Sequence, residues 1–117
     1  MLNKHSMINI FHVLVIFPLI CYLYYIGINK KLSGTVCNTL ILISVIGTIY
    51  HLYLSKDRGG VYKAWVNLIH ILIVFPLLFM IGYKCEEVKR GFLEMLLLVG
   101  FAAVGYHSFN FVKYYNE

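Results

Sequence analysis

Residues 64–83 read AWVNLIHILIVFPLLFMIGY, without a single acidic residue, lysine or arginine. Twenty helical residues rise about 30 Å, which is close to the thickness of a bilayer's hydrocarbon core. A helix on a soluble protein would carry a polar stripe for its solvent face, and this stretch carries none. Three other apolar blocks, Ser6 to Ile28, Val36 to Leu54 and Phe92 to Val112, match the one from Ala64 to Tyr83. Short charged connections, NKKLSG, SKDRGGVYK and KCEEVKRG, separate them. Lipid leaves no backbone amide satisfied outside a helix or a closed barrel, and the blocks are about twice as long as a barrel strand of roughly 10 residues. The expectation is an all-α integral membrane protein: one domain of 117 residues with four transmembrane helices.

The composition agrees with this reading. The chain is 61% hydrophobic, against about 45–50% in soluble domains, and the excess lies in the four blocks. Tyr22, Tyr24, Tyr25 and Tyr83 gather at one end of the blocks, and Tyr53, Tyr62, Trp65, Tyr114 and Tyr115 at the other. Two such belts suit rings that prefer the membrane interface. The first block has no small-residue cleavage site after it, so a retained helix is expected rather than a signal peptide.

Four spans put both termini and the central connection on one side. That side holds Lys4, Lys56, Arg58, Lys63 and Lys113, and the opposite side holds Lys30, Lys31, Lys84, Lys89 and Arg90. The balance is even, so the positive-inside rule assigns no orientation. A net charge of +5 suits anionic lipid head groups. It is too dispersed for a nucleic-acid partner, and a homo-oligomer is compatible with so small a bundle. Of the three cysteines, Cys21 lies deep in the first block. Cys37 and Cys85 fall near one interface, where pairing requires an oxidising compartment; free thiols are the expectation.

The chain repeats itself. Asn9, His12, Leu14, Phe17, Pro18 and Leu19 recur at a constant offset as Asn67, His70, Leu72, Phe75, Pro76 and Leu77. With an offset two residues shorter, Leu40, Leu42, Tyr50 and His51 recur as Leu96, Leu98, Tyr106 and His107. Small residues also match, Ser44 with Gly100 and Gly47 with Ala103. The match includes Asn, His and Pro, which are uncommon in apolar segments. The sequence therefore reads as two tandem copies of a helical hairpin, about residues 6–55 and 64–113. An even number of spans per copy keeps their orientation, so a pseudo-two-fold along the membrane normal is expected.

Counting helical rise from the block ends puts His12, His51, His70 and His107 at a similar depth on the side of the termini. Asn9 shares a helix face with His12, and Asn67 shares one with His70. The expected layer holds four His, two Asn and the hydroxyls of Tyr50 and Tyr106. Ser44, Gly47, Gly100 and Ala103 are expected to form a seam where helix backbones approach closely.

The chemistry of the layer stays open on sequence alone. It can serve as interhelical hydrogen-bond glue. Four imidazoles also suit a transition metal, a proton or cation path, or a bis-histidine haem through two of them. Pro18 and Pro76 are expected to kink their helices and to loosen the carbonyls of Leu14 and Leu72. Glu94, which stands opposite Asn38 in the repeat, is a candidate ion ligand; its expected partner is Lys89 or Arg90, or Lys30 or Lys31 across the loops. No nucleophile–base constellation, phosphate loop or H-E-x-x-H motif occurs, so an enzyme is not expected.

The pattern N-x-x-H-x-L-x-x-F-P-L followed by G-Y-H, in WVNLIHILIVFPLLFMIGY and LLLVGFAAVGYHSF, resembles small four-span proteins encoded by large DNA viruses with internal membranes. The resemblance covers nearly the whole chain. It implies residence in a virion or host-cell membrane and implies no particular activity. The sequence leaves two function classes: a channel, carrier or metal-binding protein built on the histidine layer, or a structural or assembly component of a membrane.

Overall fold

The computed structural model describes residues 4–57 and 61–115; of residues 61–63 it describes the backbone alone. Arg58 lies outside the described residues, as do the side chains of Tyr62 and Lys63. Four helices, α1 (Lys4–Asn29), α2 (Gly34–Asp57), α3 (Ala64–Glu87) and α4 (Arg90–Tyr115), are each long and apolar enough to cross a membrane. Among the described residues there is no strand. Large apolar side chains cover the outside; Leu14, Leu72 and Leu98 are each about two-thirds exposed or more. In water so much exposed apolar surface is a liability, whereas lipid accepts it without cost.

Local chemistry ends the helices where the charged connections begin. α1 stops as Lys30 turns extended, its N–H still donating to the Ile26 carbonyl. Ser33 then caps α2, its Oγ accepting from the Val36 N–H at 3.3 Å, which satisfies one of the donors a helix start leaves open. At the far end of α3, Cys85 takes a positive φ of 51°, a conformation that costs a non-glycine residue on the order of 1–3 kcal/mol.

The main packing joins α1 to α4 and α2 to α3. Each helix therefore has its principal partner in the other half of the sequence, and neither half packs chiefly on itself. The interior is graded along its length. At the loop end Leu23, Leu32, Leu40, Leu77, Ile81, Leu93 and Leu96 form a closed apolar core. Toward the termini the buried set changes to Ser6, Asn9, Ser44, Asn67 and His107.

The cysteines depart from expectation. Cys37 and Cys85 form a disulfide, with Cα atoms 5.5 Å apart, and Cys21 is the free one. The cause is a backbone approach that spacing alone does not reveal. A Cβ added at Gly82 would lie 2.7 Å from the Cys37 carbonyl oxygen, so only glycine lets α3 come this close to α2. Cys85, at the end of the same helix, is thereby brought within bonding reach of Cys37. A seam of backbone against backbone thus lies at Gly82, outside the residues expected to form one.

Two measurements check these features. Gly82→Ala should lower the folding stability in detergent by about 1–3 kcal/mol through overpacking against backbone. Gly105→Ala, where an added Cβ meets nothing, should be neutral or stabilising by up to about 1 kcal/mol, since alanine is the better helix former. In thiol labelling of the denatured, unreduced protein, Cys21 alone should react, with Cys37 and Cys85 reacting only after reduction.

Candidate functional site

Among the described residues, two side-chain hydrogen bonds join different helices at the terminal end. The His51 Nδ1–H on α2 donates to Asn67 Oδ1 on α3 at 2.8 Å. The His107 Nδ1–H on α4 donates to Asn9 Oδ1 on α1, also at 2.8 Å. The other two imidazoles bond within their own helices. His12 Nδ1–H donates to the Ile8 carbonyl at 2.8 Å, and His70 Nδ1–H to the Val66 carbonyl at 2.7 Å. All four rings commit Nδ1–H to an oxygen, so in each neutral imidazole the lone pair sits on Nε2.

The rings pack against one another. His12 stacks on His107 with centroids 4.1 Å apart, and His51 on His70 at 4.4 Å. His12 and His70 meet edge to face at 6.2 Å. The four positions inferred from helical rise are thus brought into mutual contact. Tyr50 and Tyr106 contribute differently from expectation. Among the described residues neither hydroxyl makes a hydrogen bond; the Tyr50 ring packs edge-on against His51, and Tyr106 against His107 and Trp65. Each tyrosine directly precedes its histidine, about 100° away around the helix, so the rings lie beside the layer and not within it.

A five-residue π-helical turn begins at each of His12 and His70, spanning His12–Ile16 and His70–Val74. The Phe17 N–H reaches the His12 carbonyl and the Phe75 N–H reaches that of His70. After each turn the α-helix restarts with Pro18 or Pro76 within its first two positions, where a missing N–H costs least. The expected proline disturbance is thus taken up by a widened turn upstream. That turn also sets the facing of side chains. Residues five apart on an α-helix point about 140° away from each other, and the wider i→i+5 turn of a π-helix brings them nearer one face. His70 and Phe75 accordingly both pack on His51, at 4.4 and 5.3 Å.

These phenylalanines fill the space beside the small residues. The Phe75 ring occupies the place a Cβ would take at Gly47, and Phe17 and Ile20 face Gly100. The seam at Gly47 and Gly100 thus admits side chains rather than a neighbouring backbone. Ser44 is buried with its hydroxyl donating to the Leu40 carbonyl of its own helix at 2.6 Å. Ala103 lines an apolar cleft with Trp65, His70 and Tyr106. Glu94 accepts from the Arg90 Nε at 2.8 Å on an exposed surface; it lies at the loop end, away from the imidazoles, where water screens the pair.

An open-sided cleft of about 630 Å³ adjoins His12, His51, His70 and His107 and is otherwise walled mainly by apolar side chains, with Lys4 and Tyr50 among its lining. Among the described residues no group of three or more His, Cys, Asp or Glu side chains is disposed to hold a metal ion. The imidazoles lie face to face, which suits neither a tetrahedron of converging nitrogens nor a haem plane between the rings of either stacked pair. What the arrangement offers is a set of neighbouring bases at the wall of an apolar cleft.

Phe17 and Phe75 stand within the repeat, yet the sequence assigned them no role, and it assigned none to Gly82. The signal for the two phenylalanines is positional: an aromatic residue five after a histidine and directly before a proline.

The interhelical bonds have a measurable strength. A double-mutant cycle on His51 and Asn67, using His51→Ala and Asn67→Ala, should give a coupling of about 0.6–1.7 kcal/mol, the range for polar contacts between membrane helices. The cycle on His107 and Asn9 should give a similar value, and pairing His12→Ala with Asn67→Ala should give less. No protein-family model, curated protein or solved structure matches this chain, so the functional reading rests on its own geometry.

Proposed function

We propose that the chain is a small integral membrane protein of the carrier kind, which handles protons at the histidine-lined cleft near its termini. The observation that carries this reading is the local bonding of His12 and His70. Their Nδ1–H groups donate to carbonyls of their own helices, so these two side chains make no hydrogen bond from one helix to another and meet their neighbours by ring stacking alone. Hydrogen-bond glue accounts for His51, His107, Asn9 and Asn67 and leaves His12 and His70 without a purpose. Fixing Nδ1–H on a carbonyl is, however, how a working imidazole is oriented, with Nε2 left as the acting base. Ionisable groups at membrane depth are costly and mark ion routes more often than packing.

A through-pore fits less well than a carrier. The cleft lies at the terminal end, while the loop end is closed by leucines, Ile81 and the Cys37–Cys85 disulfide. Protons entering the cleft meet two stacked ring pairs. Two cations at about 4 Å repel one another strongly where water is scarce, so each pair takes one proton more readily than two. Exchange within a pair then moves charge between α1 and α4 or between α2 and α3.

We further propose that the two halves are a duplicated hairpin related by a pseudo-two-fold. The support is the matched set of contacts: His51–Asn67 with His107–Asn9, His70–Val66 with His12–Ile8, and the π-turns at His70 and His12. The membrane is that of a virion or infected cell if the sequence resemblance reflects origin. A second reading, a structural or assembly component of that membrane, is favoured by the two interhelical Asn–His bonds alone.

Proton flux into liposomes containing the purified protein, measured between pH 5 and 8, decides between the two. In the carrier reading flux rises as pH falls and the imidazoles take up protons. The double variant His12→Gln, His70→Gln should lose flux about 100-fold and remain folded, because both interhelical Asn–His hydrogen bonds are retained. Absence of pH-dependent flux in the wild type would leave the structural reading in its place.

A further inference from the structure

The histidine cleft contains a donor that proton binding does not use. Asn67 is 3% exposed, its Oδ1 accepts from His51, and its Nδ2 is fully buried without a hydrogen-bond partner. Asn67 is also one of the residues lining the cleft; buried amide groups are nearly always satisfied, so its orphan N–H indicates an acceptor supplied from elsewhere. The same cleft is lined by Lys4, His12, His51, His70, His107 and Tyr50. Its remaining walls are apolar, with Met7, Ile8, Phe11 and Leu54 among them.

Those walls specify a ligand chemistry. The occupant must present an oxygen acceptor to Asn67 Nδ2, match a lysine, give a proton to an imidazole, and place an apolar chain against Met7, Ile8 and Phe11. A carboxylic acid meets all four demands. An alcohol or phenol offers the oxygen but is too weak an acid to give its proton to an imidazole, whereas a carboxylic acid is strong enough to do so. A phosphate monoester carries nearly two charges, more than the single lysine of the cleft balances. The volume of about 630 Å³ falls within the roughly 300–1,000 Å³ of small-molecule sites.

We propose that the cleft binds the carboxyl group of a free fatty acid drawn from the bilayer. This rests on the proton-handling reading and adds the substrate class. On binding, the O–H bond of the acid breaks and its proton passes to Nε2 of His12 or His70, forming an N–H bond. The electron pair stays on the carboxylate, which then accepts hydrogen bonds from the imidazolium, Asn67 Nδ2 and Lys4. A carboxylate arriving already ionised reaches the same state by drawing one proton from solution.

The test is calorimetric titration of the full-length protein in lipid nanodiscs with dodecanoic acid and, separately, with 1-dodecanol, which has the same chain and no acid group. The acid should bind saturably and the alcohol at least about tenfold more weakly. Repeating the titration at neutral pH in buffers of different ionisation enthalpy should show uptake of about one proton per acid bound. Asn67→Asp retains the oxygen that His51 needs and replaces the orphan donor by a negative charge, and should weaken acid binding at least about tenfold. Equal affinity for acid and alcohol, or undiminished affinity in a folded Asn67→Asp protein, would overturn the proposal. If that variant does not fold, the comparison of acid with alcohol on the wild type decides alone. Acid binding without proton uptake would overturn the proton-handling reading and keep the carboxyl site. Proton flux in liposomes free of fatty acid, together with no acid binding, would do the reverse.

Discussion

The structure depends on one constraint: a polar side chain inside an apolar bundle must find its hydrogen-bond partner within the protein. His51 finds Asn67 and His107 finds Asn9, each across a helix boundary. These two bonds set which helices face one another at the terminal end, and they agree with the pairing of α2 with α3 and of α1 with α4. His12 and His70 are then held by stacking on the anchored rings and by carbonyls of their own helices.

The two ends of the bundle solve different packing problems. At the loop end, leucines and Ile81 close the interior, and Gly82 lets α3 approach α2 until Cys37 and Cys85 can bond. A covalent link there restricts the unfolded chain, an effect that grows with the length of the loop enclosed. At the terminal end, rings replace aliphatic chains, and flat rings on polar anchors leave clefts that branched side chains would fill. Stability is concentrated away from the site, while the site keeps open space and unused hydrogen-bonding capacity at Asn67. A division of this kind, a rigid closed half supporting an under-satisfied half, is where functional sites are commonly found.

The π-turns connect the two ends. A proline inside a helix loses one hydrogen bond and crowds the preceding turn. Here the crowding is relieved by one wide turn, which also rotates the helix beyond it, so that His12 and Phe17, or His70 and Phe75, serve the same helix interface. The histidine belongs to the polar end and the phenylalanine to the apolar one. The stretch from each histidine to its proline thus joins the site to the core that supports it.

The sequence by itself determined the four apolar helices and, to within about a turn, where they begin and end. Those properties follow from composition and from the rise per residue, which are local. The repeat of Asn, His and Pro made the polar residues of the site legible for the same reason. Tertiary structure alone decided three things. It decided that the cysteines pair, because the approach of α3 to α2 depends on Gly82 meeting a carbonyl distant in sequence. It decided that the tyrosine hydroxyls stand outside the layer and the imidazoles stack instead of converging, because ring orientation depends on neighbours from all four helices. And it decided that Phe17 and Phe75 fill the places beside Gly100 and Gly47, because the π-turns that aim them change the helical period on which any reading of faces from sequence relies.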